Sequence, residues 1–267
     1  MIIGGGEARS GDTVILDRFS LETQKAGEKR PSSRLIIVPT GLRGDDLGIA
    51  SEYRDLFLKR GIDSVEVAPI RQRADAHDEA TAGRLREAAG IFFTGGDQVR
   101  ITGILGGTAC GDAIYRAFVE RAVIGGTSAG ASAMSETMVA GGDVDPIPSR
   151  GAIRMCPGLG LLSGAVIDQH FSERRRIGRM VTVVAQNPRV LGLGIDENTA
   201  ALVRPRGSIE VLGEHTVTIF DGAQISYTNV DDLETGGPIS VTDLKIHILL
   251  AGDRFDMNAR KRMPLGP

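Results

Sequence analysis

Tryptophan is absent from the 267 residues, tyrosine occurs three times, histidine four times and cysteine twice. Each scarcity excludes something. Cys110 and Cys156 allow at most one disulfide and show no metal-ligand spacing, so neither a disulfide scaffold nor a zinc module is encoded, and a reducing compartment is the simpler setting. No run approaches the ~18 consecutive apolar residues of a membrane span. The first residues, from Met1 to Glu7, lack the basic region of a secretory signal. An excess of one charge is also missing. Lys plus Arg total 31 against 34 Asp plus Glu, a net charge of -3, which offers no basis for holding nucleic acid or anionic lipid. The expectation is a soluble cytoplasmic protein with no nucleic-acid or membrane partner and no metal or other cofactor.

Glycine is what the chain has in excess. Its 36 occurrences are about twice the usual ~7%, without a Gly-X-Y period, so they serve turns and close backbone approaches. They gather where short apolar runs end, at Gly4 to Gly6, Gly41, Gly95-Gly96 and Gly125-Gly126. The runs 2–3, 34–39, 64–68, 90–94, 122–126, 165–168 and 190–195 read as buried strands. Helical stretches separate them at about 46–60, 78–89, 98–106, 111–121, 128–139 and 171–186. That alternation predicts a parallel sheet of βα units whose glycine-rich carboxyl edge binds ligands. Beyond Thr199 the period falls to two, and 200–204, 208–212, 215–220 and 244–249 predict antiparallel strands that extend or cover the sheet, with 232–238 an exposed loop. One domain over 1–267 is expected, with a core to about 205, an antiparallel extension over about 206–257 and a frayed tail over 258–267.

The chemistry concentrates in 122–134, where a β-branched strand runs into Gly126-Thr127-Ser128-Ala129-Gly130. Ser128 is the centre of a G-x-S-x-G nucleophile elbow, a sharp strand-to-helix turn that lifts the central side chain above the sheet. The Ala129 N–H then faces a developing oxyanion, with Gly96 as a second donor. Ser132 lies one helical turn on, outside the glycine bracket, and reads as packing. A serine nucleophile needs a base. His77 sits in a charged stretch and His215 and His247 in the alternating C-terminal strands, whereas His170 follows the run ending at Asp168 and shares the carboxyl edge with Ser128. The carboxylate that orients it is Asp196 or Glu197; neighbours on an extended segment point to opposite faces, so one of them faces His170. Asp97 caps a helix behind Gly96. Arg174, Arg175, Arg176 and Arg179 crowd the first turn of a helix, where cations oppose the dipole, and a carboxylate-bearing ligand would offset that cost.

The series Gly95 to Gln98 (GGDQ), Gly125 to Met134 (GGTSAGASAM), Pro157 to Leu162 (PGLGLL), Asp168 to Arg179 (DQHFSERRRIGR) and Gly194 to Ala200 (GIDENTA) resembles the cyanophycinase family, serine peptidases related to the aspartyl dipeptidases. The resemblance covers about residues 1–205. The 42 residues from Ser128 to His170 and the 27 from His170 to Glu197 are similar to the spacing of that family's Ser-His-Glu triad, which implies Glu197 as the orienting carboxylate. It implies that Gln98, Asp168, Gln169, Arg174, Arg176 and Arg179 line the substrate pocket, although Arg175 stands where a small or neutral residue is expected. It implies an α/β fold of three layers, flavodoxin-like or class I glutamine amidotransferase-like, with helices on both faces of a mostly parallel central sheet and antiparallel C-terminal strands. The implied substrate is cyanophycin or an aspartyl-arginine peptide, the implied assembly a homodimer. An aspartyl or isoaspartyl dipeptidase with a smaller pocket and a non-catalytic ligand-binding module are the alternatives.

Overall fold

A computed structural model of the chain describes residues 1–44, 47–142 and 147–264. Its strands are β1 (Ile2–Ile3), β2 (Leu35–Val38), β3 (Val65–Val67), β4 (Gly90–Phe93), β5 (Val123–Thr127), β6 (Thr137–Gly142), β7 (Ile153–Pro157), β8 (Ala165–Gln169) and β9 (Leu191–Ile195), then β10 (Thr199–Val203), β11 (Ser208–Gly213), β12 (Val217–Asp221), β13 (Tyr227–Thr228), β14 (Val241–Thr242), β15 (Lys245–Leu249), β16 (Arg254–Asp256) and β17 (Lys261–Met263). Its helices are α1 (Val14–Gly27), α2 (Leu47–Lys59), α3 (Glu79–Glu87), α4 (Gln98–Leu105), α5 (Ala109–Val119), α6 (Ala129–Ser132) and α7 (Ile177–Gln186).

The first five apolar runs pair in parallel in the order β1-β5-β4-β2-β3. Alternate side chains of these strands enter separate layers, as the two-residue period of a strand requires. Leu35 and Ile37 meet Phe19 of α1 and Tyr53 and Phe57 of α2, while Ile36 and Val38 meet Leu85, Ile101 and Ile114 of α3, α4 and α5. The scarce aromatics are not scattered. Phe19, Tyr53, Phe57 and Phe92 form one cluster with ring centroids 5.0 to 6.2 Å apart. Chain ends of three helices are held by Asp78, Asp97 and Thr108, each accepting backbone N–H groups of the first turn.

Beyond β1 the sheet turns antiparallel through β10, β11, β16 and β17, reaching nine strands. Because β1 has β5 on one edge and β10 on the other, the main sheet has no edge there for β8 and β9. These two pair in parallel with each other and join β12 and β15 in a second sheet, β15-β12-β9-β8. From sequence alone these two runs are expected in the one parallel sheet. An apolar run dictates that a strand forms, and the available edges dictate beside which neighbour. One face of this second sheet, carrying Ile167, Leu193 and Ile219, joins the same continuous core as Ile36, Val38 and Val211 of the main sheet; α7 covers the other, with Met180, Val183 and Val184 against Val166, Phe171 and Phe220.

Three further differences are local. The helix α1 adds an element between β1 and β2 that the sequence pattern above does not include, with Ile15, Leu16, Phe19 and Thr23 burying one face at helical spacing. The helix expected over 128–139 is a single turn, α6, and the rest of the run enters β6 of the β6–β7 hairpin. The tail read as frayed carries β17, paired on β16. Asp46, the expected first residue of the second helix, lies outside the described residues, as do 265–267.

Candidate active site

Ser128 terminates β5 with φ 52° and ψ -119°, a conformation that costs a non-glycine residue energy and persists only where surroundings enforce it. Here they do so by proximity. A Cβ on Gly126 would stand 2.5 Å from the Gly130 carbonyl oxygen, and one on Gly130 2.6 Å from the Phe93 carbonyl oxygen, so strand, turn and α6 nest together only as glycine backbone. The turn leaves Ser128 partly exposed while Ala129 and Ser132 are buried.

His170 follows β8, also at positive φ, 46°. Its Nε2 lies 2.9 Å from Ser128 Oγ and its Nδ1 2.5 Å from Glu197 Oε1. Glu197 stands in the turn between β9 and β10, where its own N–H donates to Glu173 at 3.2 Å. Its neighbour Asp196 points the other way and is buried. The Asp196 carboxylate accepts the Ser172 N–H at 3.0 Å, and the Thr216 N–H and hydroxyl at 3.1 and 2.6 Å. The two carboxylates that sequence alone left open therefore have separate tasks. His77 and His215 are exposed elsewhere, and His247 lies on β15 with its ring against Phe255.

A third element joins these parts. Successive carbonyls of Ile3, Gly4 and Gly5 accept the backbone N–H groups of Ser128 at 3.1 Å, His170 at 2.8 Å and Asn198 at 2.9 Å. The end of β1 thus threads between the two sheets and contacts each of the three elements that converge here. From sequence, Gly4 to Gly6 read only as a strand end on the ligand-binding carboxyl edge, with no hint of these backbone bonds.

Hydroxyl, imidazole and carboxylate in line can move a proton from Oγ to Nε2 while the carboxylate holds Nδ1–H. The model of Peptidase family S51 matches residues 1–211. The chain belongs to peptidase family S51. It is 36% identical over 265 residues to the cyanophycinase of Trichormus variabilis (strain ATCC 29413 / PCC 7937), covering 99% of this chain and 87% of that protein. It is 34% identical over 264 residues to the cyanophycinase of Geminocystis herdmanii (strain PCC 6308), covering 98% and 95%. Its fold is that of a peptidase from an acI-B1 Actinobacterium, with a TM-score of 0.67 over 96% of this chain and 97% of the other at 19% identity. Among the described residues of this S51 peptidase no helix is long and apolar enough to cross a membrane, and no group of three or more His, Cys, Asp or Glu side chains is arranged to hold a metal.

The residues that the family resemblance implies for the pocket fall into two groups. Gln169 Oε1 lies 3.5 Å from Ser128 Oγ, and Gln98 donates from Nε2 to the Val139 carbonyl at 3.1 Å. Arg174 is exposed just past His170. Asp168 is wholly buried instead, accepting Arg176 at 2.8 Å and Arg179 at 3.0 Å, both themselves nearly enclosed. Burial pushes the Asp168 carboxyl above its ordinary range, and the two guanidiniums oppose that rise. The crowded first turn inferred from sequence does not exist, because α7 begins only at Ile177. Arg174 and Arg175 precede it, Arg175 taking a left-handed φ of 53° that turns the chain into the helix. Gly96 has φ 122°; it is Gly95 whose α-carbon faces the serine, a Cβ there standing 3.5 Å from Ser128 Cβ.

Proposed function

We propose that this peptidase is of the cyanophycinase type, a serine exopeptidase that hydrolyses the polyaspartate backbone of cyanophycin and releases β-Asp-Arg dipeptides. The observation that carries the reading is the line Ser128 Oγ, His170 Nε2, His170 Nδ1, Glu197 Oε1 at 2.9 and 2.5 Å. It occurs in a chain about a third identical, over nearly its whole length, to proteins named cyanophycinase.

In this mechanism Ser128 is the nucleophile of the elbow and attacks the backbone carbonyl as His170 Nε2 takes its proton. Glu197 keeps Nδ1–H in place and stabilises the imidazolium. The N–H groups of Ala129 and Gly96 receive the oxyanion. His170 returns the proton to the leaving amine, then activates the water that hydrolyses the ester. Exposed Arg174 meets carboxylates of the polymer, which is a polyaspartate bearing β-linked arginines. Arg176 and Arg179 act from beneath: with Asp168 they brace the strand end, and Arg176 also donates to the Gln169 carbonyl at 2.5 Å, so Gln169 and Gln98 present their side chains to substrate.

Incubating purified protein with cyanophycin and weighing the soluble products by mass spectrometry tests the reading. Accumulating β-Asp-Arg, lost in Ser128→Ala, supports it. Cleavage of Asp-X dipeptides with the polymer untouched would transfer the assignment to an aspartyl dipeptidase. Light scattering on a sizing column tests the accompanying expectation of a homodimer.

A further inference from the structure

The segment that follows β1 carries a tension. A Cβ on Gly5 would stand 2.4 Å from His170 Cε1 and one on Gly6 3.0 Å from Glu197 Oε2, so side chains are excluded exactly where the segment must hold its shape. Two successive glycines at φ 99° and 59° are the least constrained backbone a chain can contain. The carbonyls of Ile3, Gly4 and Gly5 nevertheless set the N–H groups of Ser128, His170 and Asn198. The anchor is the next residue. Glu7 is 5% exposed; one carboxylate oxygen accepts the Thr127 hydroxyl at 2.7 Å and the other accepts the Tyr53 hydroxyl. Thr127 immediately precedes Ser128, and Tyr53 is buried on α2. Ala8 adds a bond from its N–H to Asn198 Oδ1 at 2.9 Å.

Both partners of this buried carboxylate are neutral hydroxyls. The guanidinium of Arg9 goes instead to Glu52 at 2.5 Å and to the Tyr53 hydroxyl at 3.2 Å. Arg9 thus reaches Glu7 through the Tyr53 hydroxyl and by its charge at a distance; a buried carboxylate with no cation in direct contact is costly, and apolar packing of the same volume would stabilise the fold as well or better. Its presence behind the nucleophile therefore calls for a reason beyond stability. Burial, aided by the Glu7 charge, pushes the Tyr53 phenol far up, so it stays a donor throughout the working pH range.

We infer that Glu7 is a positioning residue of the reaction: it clamps the glycine segment to β5 at Thr127 and so keeps His170 and Glu197 in register with Ser128. The inference rests on the Ser128-His170-Glu197 reading above. Glu7→Ala should lower kcat on the order of 10²-fold, the cost of a small misplacement of reacting groups, with KM changed by less than about twofold. The rate at which a fluorophosphonate labels Ser128 should fall in parallel. Glu7→Gln, which keeps the shape and one acceptor oxygen, should recover part of both. Tyr53→Phe and Thr127→Val, each removing one hydroxyl, should fall between. A Glu7→Ala protein that melts earlier yet turns over and labels like wild type overturns the inference, as does a loss confined to KM. If Glu7→Ala does not fold, unchanged kcat in both Tyr53→Phe and Thr127→Val overturns it. A wild-type chain that neither labels nor hydrolyses overturns the triad itself, a result distinct from wild type and Glu7 variants labelling equally.

Discussion

Ser128 and His170 face each other across 2.9 Å, and the two sides of that gap are built differently. On the side of the main sheet, orientation resides in backbone shape: a serine at φ 52° between two glycines that leave no room for a methyl. On the side of the four-stranded sheet it resides in buried charge and long-range hydrogen bonds. Asp168 sits between two guanidiniums, and Asp196 ties the Ser172 N–H to Thr216. A nucleophile's pose can be written into five consecutive residues, whereas a base that must meet two partners from other elements needs the surrounding fold. Chemistry and stability should therefore separate under mutation on the first side and fall together on the second.

The sharpest break is Ser128→Ala. It should lower turnover by at least about 10⁴-fold with the denaturant midpoint unchanged, because the strained turn is held by its glycine neighbours; a large midpoint shift would show that the hydroxyl also supports the fold. Next comes Asp168→Ala, which leaves Arg176 and Arg179 buried without a counter-charge. It should destabilise by about 3–5 kcal/mol, read by equilibrium unfolding, and reduce turnover as well. Replacing all three residues by apolar side chains of similar volume should restore much of the stability without restoring activity. Gly5→Ala acts on the seam between the sides, where its methyl meets the His170 ring. A loss of kcat on the order of 10²-fold with KM nearly constant is expected from steady-state kinetics.

The smallest effect lies away from both sides, where Glu22 of α1 bonds Arg204 and Arg18. The hydrogen bond from Arg204 is the main cause that holds the Glu22 carboxyl down to about 2, with Arg18 adding to it and burial opposing. A carboxyl lowered in the folded state contributes stability that is present above its ordinary pKa of 4.5 and is lost as pH falls toward 2. Melting curves between pH 5 and pH 2 should decline less steeply in Glu22→Gln, by under about 1 kcal/mol.

The same division explains what could be read from the chain before its structure. The run 122–130 announces strand, turn and a candidate nucleophile because the glycine bracket that gives the turn its shape lies within a few residues of Ser128, although the Ile3 carbonyl and Glu7 also hold it from afar. His170 emerges from scarcity, being one of four histidines and the one at a strand end beside Ser128. Choosing Glu197 over Asp196 was beyond the residues themselves and came from the family resemblance, since Asp196 is turned inward by Thr216, twenty residues on. The arginine cluster misled for a related reason. Sequence shows four guanidiniums after a base; that two of them are absorbed by Asp168 depends on where α7 begins and how far β8 is buried. Glu7 carried no signal, because a single carboxylate after three glycines looks like any exposed turn.

Apolar period, glycine placement and the elbow are consequences of neighbours within a few residues, and these already specify an α/β chain with a serine raised at a strand end. Whether β8 pairs with β9 and β12 or with the main sheet and which carboxylate meets His170 depend on contacts some twenty residues or more apart, and that the end of β1 runs between the sheets with Glu7 locked on Thr127 depends on contacts more than a hundred residues apart. Such contacts form only after loop-closure entropy has been overcome by the packed whole, so no local pattern records them.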